Sequence, residues 1–219
     1  MREVCLEDYL SEQEQVEALR KWWGENGKSV IAGIVLGLAA IFGWRAWQDH
    51  LRVRAEAASD IYQELLTALG NPEAQKEANE RAEELINDYP SMRYAVFAGL
   101  AQARMAVAAD DYPKAAEHLR KALESNDDAK LQPLIRLRLS AVLTANGDHE
   151  AALKELEAKD PGTFAAAFDE LRGDIQLALG DLKAARTFYQ QALENARAEQ
   201  SDTVVLEMKL ESLGGAGQE

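Results

Sequence analysis

A single cysteine, Cys5, stands in the 219 residues, so no intramolecular disulfide can form and no cysteine zinc cluster exists. Its neighbours Glu7 and Asp8 deny it the electropositive setting that activates a thiol. Histidine is almost as scarce. His50, His118 and His149 lie far apart with no companion at metal-ligand spacing, and they read as solvated or turn residues. No glycine-rich phosphate loop, nucleophile elbow or His-Glu-x-x-His pattern occurs. The carboxylates of "RAEELINDY" read as the solvated face of a helix. The chain therefore lacks a catalytic constellation, and neither an enzyme nor a cofactor is expected. Positive charge is also short: the net charge is −14, and residues 49–219 alone carry −12. That sign repels phosphate backbones and excludes nucleic acid as a partner of the body.

What is present begins with "KWWGENGKSVIAGIVLGLAAIFGWRAWQ", Lys21 to Gln48, in which no charge occurs between Lys28 and Arg45. At about 1.5 Å per residue, eighteen residues cover roughly 27 Å, close to the ~30 Å hydrocarbon layer of a bilayer. Trp22 and Trp23 precede the run and Trp44 and Trp47 close it; they are all four tryptophans of the chain, placed where amphipathic rings sit at headgroup level. These features predict a transmembrane helix over 29–47 in contact with the lipid bilayer, against the alternative of a buried soluble helix. A removable signal peptide fits poorly. Seven acidic residues precede the apolar centre, and the small-residue site Ala55-Glu56-Ala57 lies about ten residues too late. Arg20, Lys21 and Lys28 on one side balance Arg45, Arg52 and Arg54 on the other, so charge does not orient the span. Gly33 and Gly37, four apart on one face, suit packing against another membrane helix, although glycine is common in such helices.

Beyond Asp49 the pattern is helical throughout, with alanine and leucine recurring at spacings of three and four and no alternation of the kind a half-buried strand shows. The fold class is all-α. The first helix is expected to run to Gly70, where "GNP" offers a C-terminal glycine, an Asn cap and a proline for the next first turn. A second helix ends before Pro90 and a third runs from about Met92 to Ala109. Three segments then repeat: "DDYPKAAEHLRKAL" from Asp110, "GDHEAALKELEAKD" from Gly147 and "GDLKAARTFYQQAL" from Gly180. Asp111, Asp148 and Asp181 are followed four residues on by Ala115, Ala152 and Ala185, and eight on by Leu119, Leu156 and Tyr189. Each segment follows another apolar helix, which makes the unit helix, tight turn, helix. Gly147 and Gly180 supply the left-handed backbone of the turn, the following Asp caps the second helix, and the alanine lets the pair approach closely. Stacked pairs of this length are the signature of a tetratricopeptide-like array. Of the first-helix consensus only Gly173 finds a match, so the repeats are degenerate, and the alternative is a helical bundle with coincident spacing. "TVVLEMKLESL" is expected to cap the open end, and residues 214–219 to be a disordered tail. The domain plan is thus an N-terminal segment 1–28, a span 29–47, a repeat domain 48–213 and the tail. A concave face lined by the first helix of each pair would offer Arg104, Arg136, Arg138, Asp169, Arg172 and Gln176 to a partner.

The run "EQVEALRKWWGENGKSVIAGIVLGLAAIFGWRAWQ", with "SDIYQELLTAL" and "YAVFAGLAQA" behind it, resembles the YfgM-type ancillary subunits of the bacterial Sec (SecYEG) translocon over nearly the whole chain. Residues before Val16 match least. The resemblance implies a single-pass inner-membrane protein with a cytoplasmic N-terminus and a periplasmic tetratricopeptide-like domain. Its implied partners are the Sec translocon subunits, a membrane-anchored periplasmic chaperone of the prolyl-isomerase-related type, and translocating polypeptides. No catalytic residue is implied. The implied role is that of an adaptor in protein transport; a cytosol-facing scaffold is the alternative that topology would distinguish.

Overall fold

The computed structural model describes residues 12–157 and 160–215. Cys5 and most of the segment before Val16 lie outside them. By contacts the chain divides into Met1–Arg54 and Ala55–Glu219.

In the first unit the described residues belong to α1, Glu12–Leu69, whose last turns belong to the second unit. It holds an apolar stretch of membrane-crossing length, none of which is buried. The apolar run ends near Trp47, whereas packing begins only at Ala58, because the residues from Asp49 to Glu56 are all exposed.

The second unit opens with the end of α1 and continues through α2 (Gln75–Asp88), α3 (Arg93–Ala108), α4 (Tyr112–Glu124), α5 (Gln132–Ala145), α6 (His149–Glu155), α7 (Ala165–Ala178), α8 (Leu182–Ala198) and α9 (Val204–Gly215). Among the described residues there is no strand, so the all-α class holds. Between α1 and α2, Asn71 accepts a bond from the Glu73 amide and Pro72 opens a short 3-10 turn. Gly70 is not left-handed, contrary to the role expected of it; Gly70 and Asn71 close the helix with bonds to the Thr67 and Ala68 carbonyls.

Packing is serial. One cluster joins Ala58, Leu65 and Ala68 of α1 to Ala78, Ala82 and Leu85 of α2 and to Ala98 and Ala101 of α3. Tyr62 adds ring contacts to Tyr94 and Phe97 at 5.3 and 5.7 Å. The opposite face of α3, with Val96 and Leu100, enters a second cluster that runs through Ile135 and Leu139 of α5 to Phe168 and Ile175 of α7. A third joins Ala185, Tyr189 and Ala192 of α8 to Leu206 and Leu213 of α9. Small residues at the facing positions allow these approaches: a Cβ on Gly99 would lie 3.1 Å from the Ala122 Cβ. Ser140, fully buried, donates to the Ala152 carbonyl at 2.9 Å and so ties α5 to α6.

Two elements differ from the sequence expectation. The second helix of the middle pair, read over 147–160, stops as α6 at Glu155, since the segment leads into Asp160, Pro161 and Gly162, and Pro161 cannot donate to a helical ladder. At the other end α9 runs on through Gly214 and Gly215, which were assigned to the tail; residues 216–219 lie outside the described range.

Candidate functional site: the repeat turns, their faces and the membrane helix

Three turns join the helices of a pair, and all three use the same backbone. Asp110, Gly147 and Gly180 have φ of 57°, 86° and 82°. The next amide reaches back five residues in each case: Asp111 to Ala106, Asp148 to Leu143 and Asp181 to Gln176, all at 2.9 Å. This is the bond of a helix ended by a left-handed residue. Gln200, with φ 57°, and Ser201, bonded to the Ala196 carbonyl, repeat it between α8 and α9. Sequence reading missed that fourth turn because neither a glycine nor the Asp-to-Ala offset of the other three marks it: Ser201 and Val205 stand at those positions.

The capping aspartates are not equivalent. Asp111 accepts from the Lys114 amide at 3.1 Å and Asp181 from the Ala184 amide at 2.9 Å. Asp148 makes no such bond, a departure from the cap expected of it; its carboxylate accepts from the Asn146 side chain at 2.7 Å instead. Ala115, Ala152 and Ala185 are all completely buried, with Leu119, Leu156 and Tyr189 beside them in the core.

The six residues assigned to a partner-binding face divide into two groups. Arg104 and Arg138 are exposed and Gln176 is half-buried. Arg136 is turned to Glu155 at 2.6 Å, linking α5 to the end of α6. Asp169, buried, accepts from Arg172 at 2.7 Å and from Asn195 at 2.9 Å. Arg172 also donates to the Leu156 carbonyl and lies over the Phe188 ring, 5.9 Å from its centre. The last three thus have partners within the fold, holding α5, α6, α7 and α8 together.

A second polar cluster fixes α9. Lys209 reaches both oxygens of Asp174, at 2.6 and 2.8 Å, and Glu170 at 2.8 Å. Tyr189 donates its hydroxyl to Asp174 at 2.7 Å, and Arg186 donates to the Leu213 carbonyl at 2.8 Å. Burial, then the bond to Asp174, push the Tyr189 phenol well above its ordinary value. Burial pulls the Lys209 ammonium down, but its bonds to Asp174 and Glu170 outweigh this and hold it above the ordinary value. Gly173 makes room for the Tyr189 ring: a Cβ there would stand 2.4 Å from it.

A groove of about 360 Å³ opens between α2, α3 and α4, lined among others by Glu83, Ile86, Gln102, His118 and Lys121. Gln102, buried in the lining, donates to Asn79 at 3.1 Å, while Ile86, Pro90, Ala95 and Ala122 give the groove a mainly apolar wall. Burial, reinforced by Lys114, depresses the His118 imidazole below its ordinary value. No motif announces this groove; its only sequence trace is the small residues Ala95, Gly99 and Ala122 at facing positions. Among the described residues no group of three or more His, Cys, Asp or Glu is placed to hold a metal ion.

In the first unit Trp22, Trp23, Trp44 and Trp47 are all exposed, and nothing lies within 4 Å of the Cβ positions of Gly33 and Gly37.

The sequence that builds this apolar helix of spanning length and the helix pairs with left-handed turns is similar to known proteins over most of its length. A family profile described as a tetratricopeptide repeat-like domain matches residues 20–215. An ancillary SecYEG translocon subunit of Haemophilus influenzae is 35% identical over 204 residues, which is 93% of this chain and 98% of that protein. The chain belongs to the family of ancillary SecYEG translocon subunits with a tetratricopeptide repeat-like domain. The Escherichia coli K12 ancillary SecYEG translocon subunit is 34% identical over 192 residues, 87% of this chain and 91% of its own length, and that of Neisseria gonorrhoeae 28% over 205 residues, 94% and 98%. No solved structure matches the chain. Membership of this family fits a matched region that takes in both the apolar stretch and the helix pairs.

Proposed function

We propose that the chain is a membrane-anchored, non-enzymatic adaptor of the SecYEG translocon, with its N-terminus in the cytoplasm and its repeat domain in the periplasm. The observation that carries this reading is the match, over 87–93% of the chain, to proteins named ancillary SecYEG translocon subunits. An apolar stretch with no buried residue and tryptophans on both flanks supports the anchor. Stacked helix pairs support the adaptor role, because such arrays bind extended segments of other proteins along exposed helix faces. Here Arg104, Arg138 and Gln176 are the surface positions offered to a partner, and the groove beside His118 and Lys121 offers a concavity for an extended segment. The partners in this reading are Sec translocon subunits, a membrane-anchored periplasmic chaperone related to prolyl isomerases, and emerging polypeptides passed between them.

Two measurements test it. A reporter active only outside the cytoplasm, fused after Glu219, is expected to be active; a folded but inactive fusion would place the repeats in the cytosol and defeat the periplasmic part of the reading. Photo-crosslinkers at Arg104, Arg138 and His118 in intact cells are expected to capture translocon subunits or a periplasmic chaperone, and their absence from every adduct would defeat the adaptor role.

A further inference from the structure

We propose that the groove between α2, α3 and α4 is a binding site for an extended, uncharged polypeptide segment with small apolar side chains, held through its backbone by the Gln102 amide. The proposal deepens the adaptor reading and rests on it for a polypeptide partner. Ala95, Gly99 and Gln102 stand four and three residues apart on one face of α3, the face that lines the groove between α2 and α4. Gln102 is only 6% exposed. Among the described residues its side chain makes one hydrogen bond, from the amide nitrogen to Asn79 Oδ1 at 3.1 Å. A primary amide offers two N–H donors and a carbonyl acceptor, so the carbonyl oxygen and one N–H of this buried side chain are left without a protein partner. The groove is their way to solvent, because neither atom is closed off within the described residues. Native folds leave few such groups unbonded, since an unmet buried donor or acceptor is costly.

The shape and charge of the groove select the occupant. A carbonyl and an N–H on one amide match the N–H and C=O of an extended backbone, which satisfies both at once. Pro90 and Ser125 line this groove and also a second hollow of about 350 Å³, bordered by Met92, Val96 and Asn126. A chain reaches both hollows, whereas a compact ligand fills one. The walls of the first are mainly apolar, and its 360 Å³ stands near the small end of ligand sites, so the side chains it accepts are apolar and small. The charges around it are already met within the fold. Lys121 bonds to Glu117 at 2.6 Å, Glu83 accepts from Asn79 at 2.7 Å, and Arg93 pairs with Asp128 at 3.3 Å. Burial holds the His118 imidazole below its ordinary value and so uncharged at neutral pH. A charged side chain entering the groove would give up water and find no free counter-charge, which is costly. Exposed Asp127 beside the second hollow, with the −12 carried by residues 49–219, disfavours an acidic segment most. Arg104 and Arg138 line neither hollow, so this site is separate from the exposed first-helix positions.

The test uses the purified full chain in detergent and short fluorescein-labelled peptides of valine, alanine, serine and threonine, with binding read by fluorescence anisotropy. Gln102→Met keeps the side-chain volume and removes the amide; it is expected to weaken binding roughly tenfold. Asn79→Ala removes the bond within the fold but leaves the Gln102 amide in the groove, and is expected to bind as the parent does. Equal loss in these two variants would make Gln102 a support of the fold alone and overturn the site. Asn87→Trp fills the groove from its exposed rim without entering the core, and is expected to abolish binding. Replacing the valines of the peptide by aspartate or by lysine is expected to weaken it. No binding of the uncharged peptide, unchanged binding by Asn87→Trp, or equal or tighter binding of either charged peptide would each overturn the proposal. The crosslinks at Arg104 and Arg138 separate it from the adaptor reading. If the uncharged peptide does not bind while they still capture translocon subunits or a chaperone, the site fails and the adaptor stands; if they too are lost, both fail.

Discussion

Tyr189 sets the tolerance of the last repeat. Its ring fills the space over Gly173, so Gly173→Ala must displace either the ring or α7, and overpacking of this kind costs roughly 1–3 kcal/mol. Chemical denaturation of the variant is expected to show a loss in that range, with α7 and α8 losing hydrogen-exchange protection first. The same ring carries a pH dependence. Because burial and Asp174 raise the folded phenol above its value of about 10 in the unfolded chain, the unfolded state releases its proton first as pH rises. Lys209, also raised in the fold, contributes in the same direction: its stabilisation is complete below about pH 10.5 and is lost as pH rises through the folded value. Alkaline unfolding of α7 to α9 is therefore expected to begin near pH 10, and Tyr189→Phe should weaken its pH dependence in a melt followed by circular dichroism. His118 acts at the other end of the scale. Its depressed folded value means the unfolded chain takes up the proton first, so stability falls as pH drops below about 6.5, and His118→Gln should flatten that decline.

At the scale of the elements, the three repeat turns look alike in sequence and differ in what holds them. Asp181→Ala removes a bond to the Ala184 amide and is expected to cost about 1 kcal/mol, whereas Asp148→Ala leaves no helix amide newly unpaired and should cost clearly less. Parallel denaturation curves of the two variants check the difference. Gly180→Ala forces a side chain into a left-handed residue and is expected to cost roughly 1–2 kcal/mol. The helix pairs and their turns were legible because glycine, aspartate and alanine at fixed offsets each answer a local backbone demand. The early stop of α6 was less so: the apolar spacing of "AALKELEA" continues past Glu155, and the proline that interrupts it lies six residues further on. Asp169 and Arg172 illustrate a different limit. Their position on the first helix of a pair suggested a face for partners, but the neighbours that absorb them, Asn195 and Leu156, come from other helices, and no spacing within α7 could reveal that.

At the scale of the whole molecule, the family, the all-α class and the candidate span followed from the chain alone. A run of apolar residues of bilayer length, tryptophans at its ends and a repeating helix-turn-helix pattern are properties of residues near one another in sequence. A stacked array also makes long-range prediction easy, since each helix packs chiefly on its neighbours and three clusters divide the core in chain order. What the tertiary structure decided is where polar side chains are spent. Lys209 lies 35 residues from Asp174, and the two meet only because α9 folds against the last pair; the groove by His118 exists only because α2 and α4 stand on either side of α3. Local sequence sets backbone conformation and which face of each helix is apolar. Whether a charged side chain serves the fold or remains available to a partner depends on helices distant in the chain, and that is settled only when they pack.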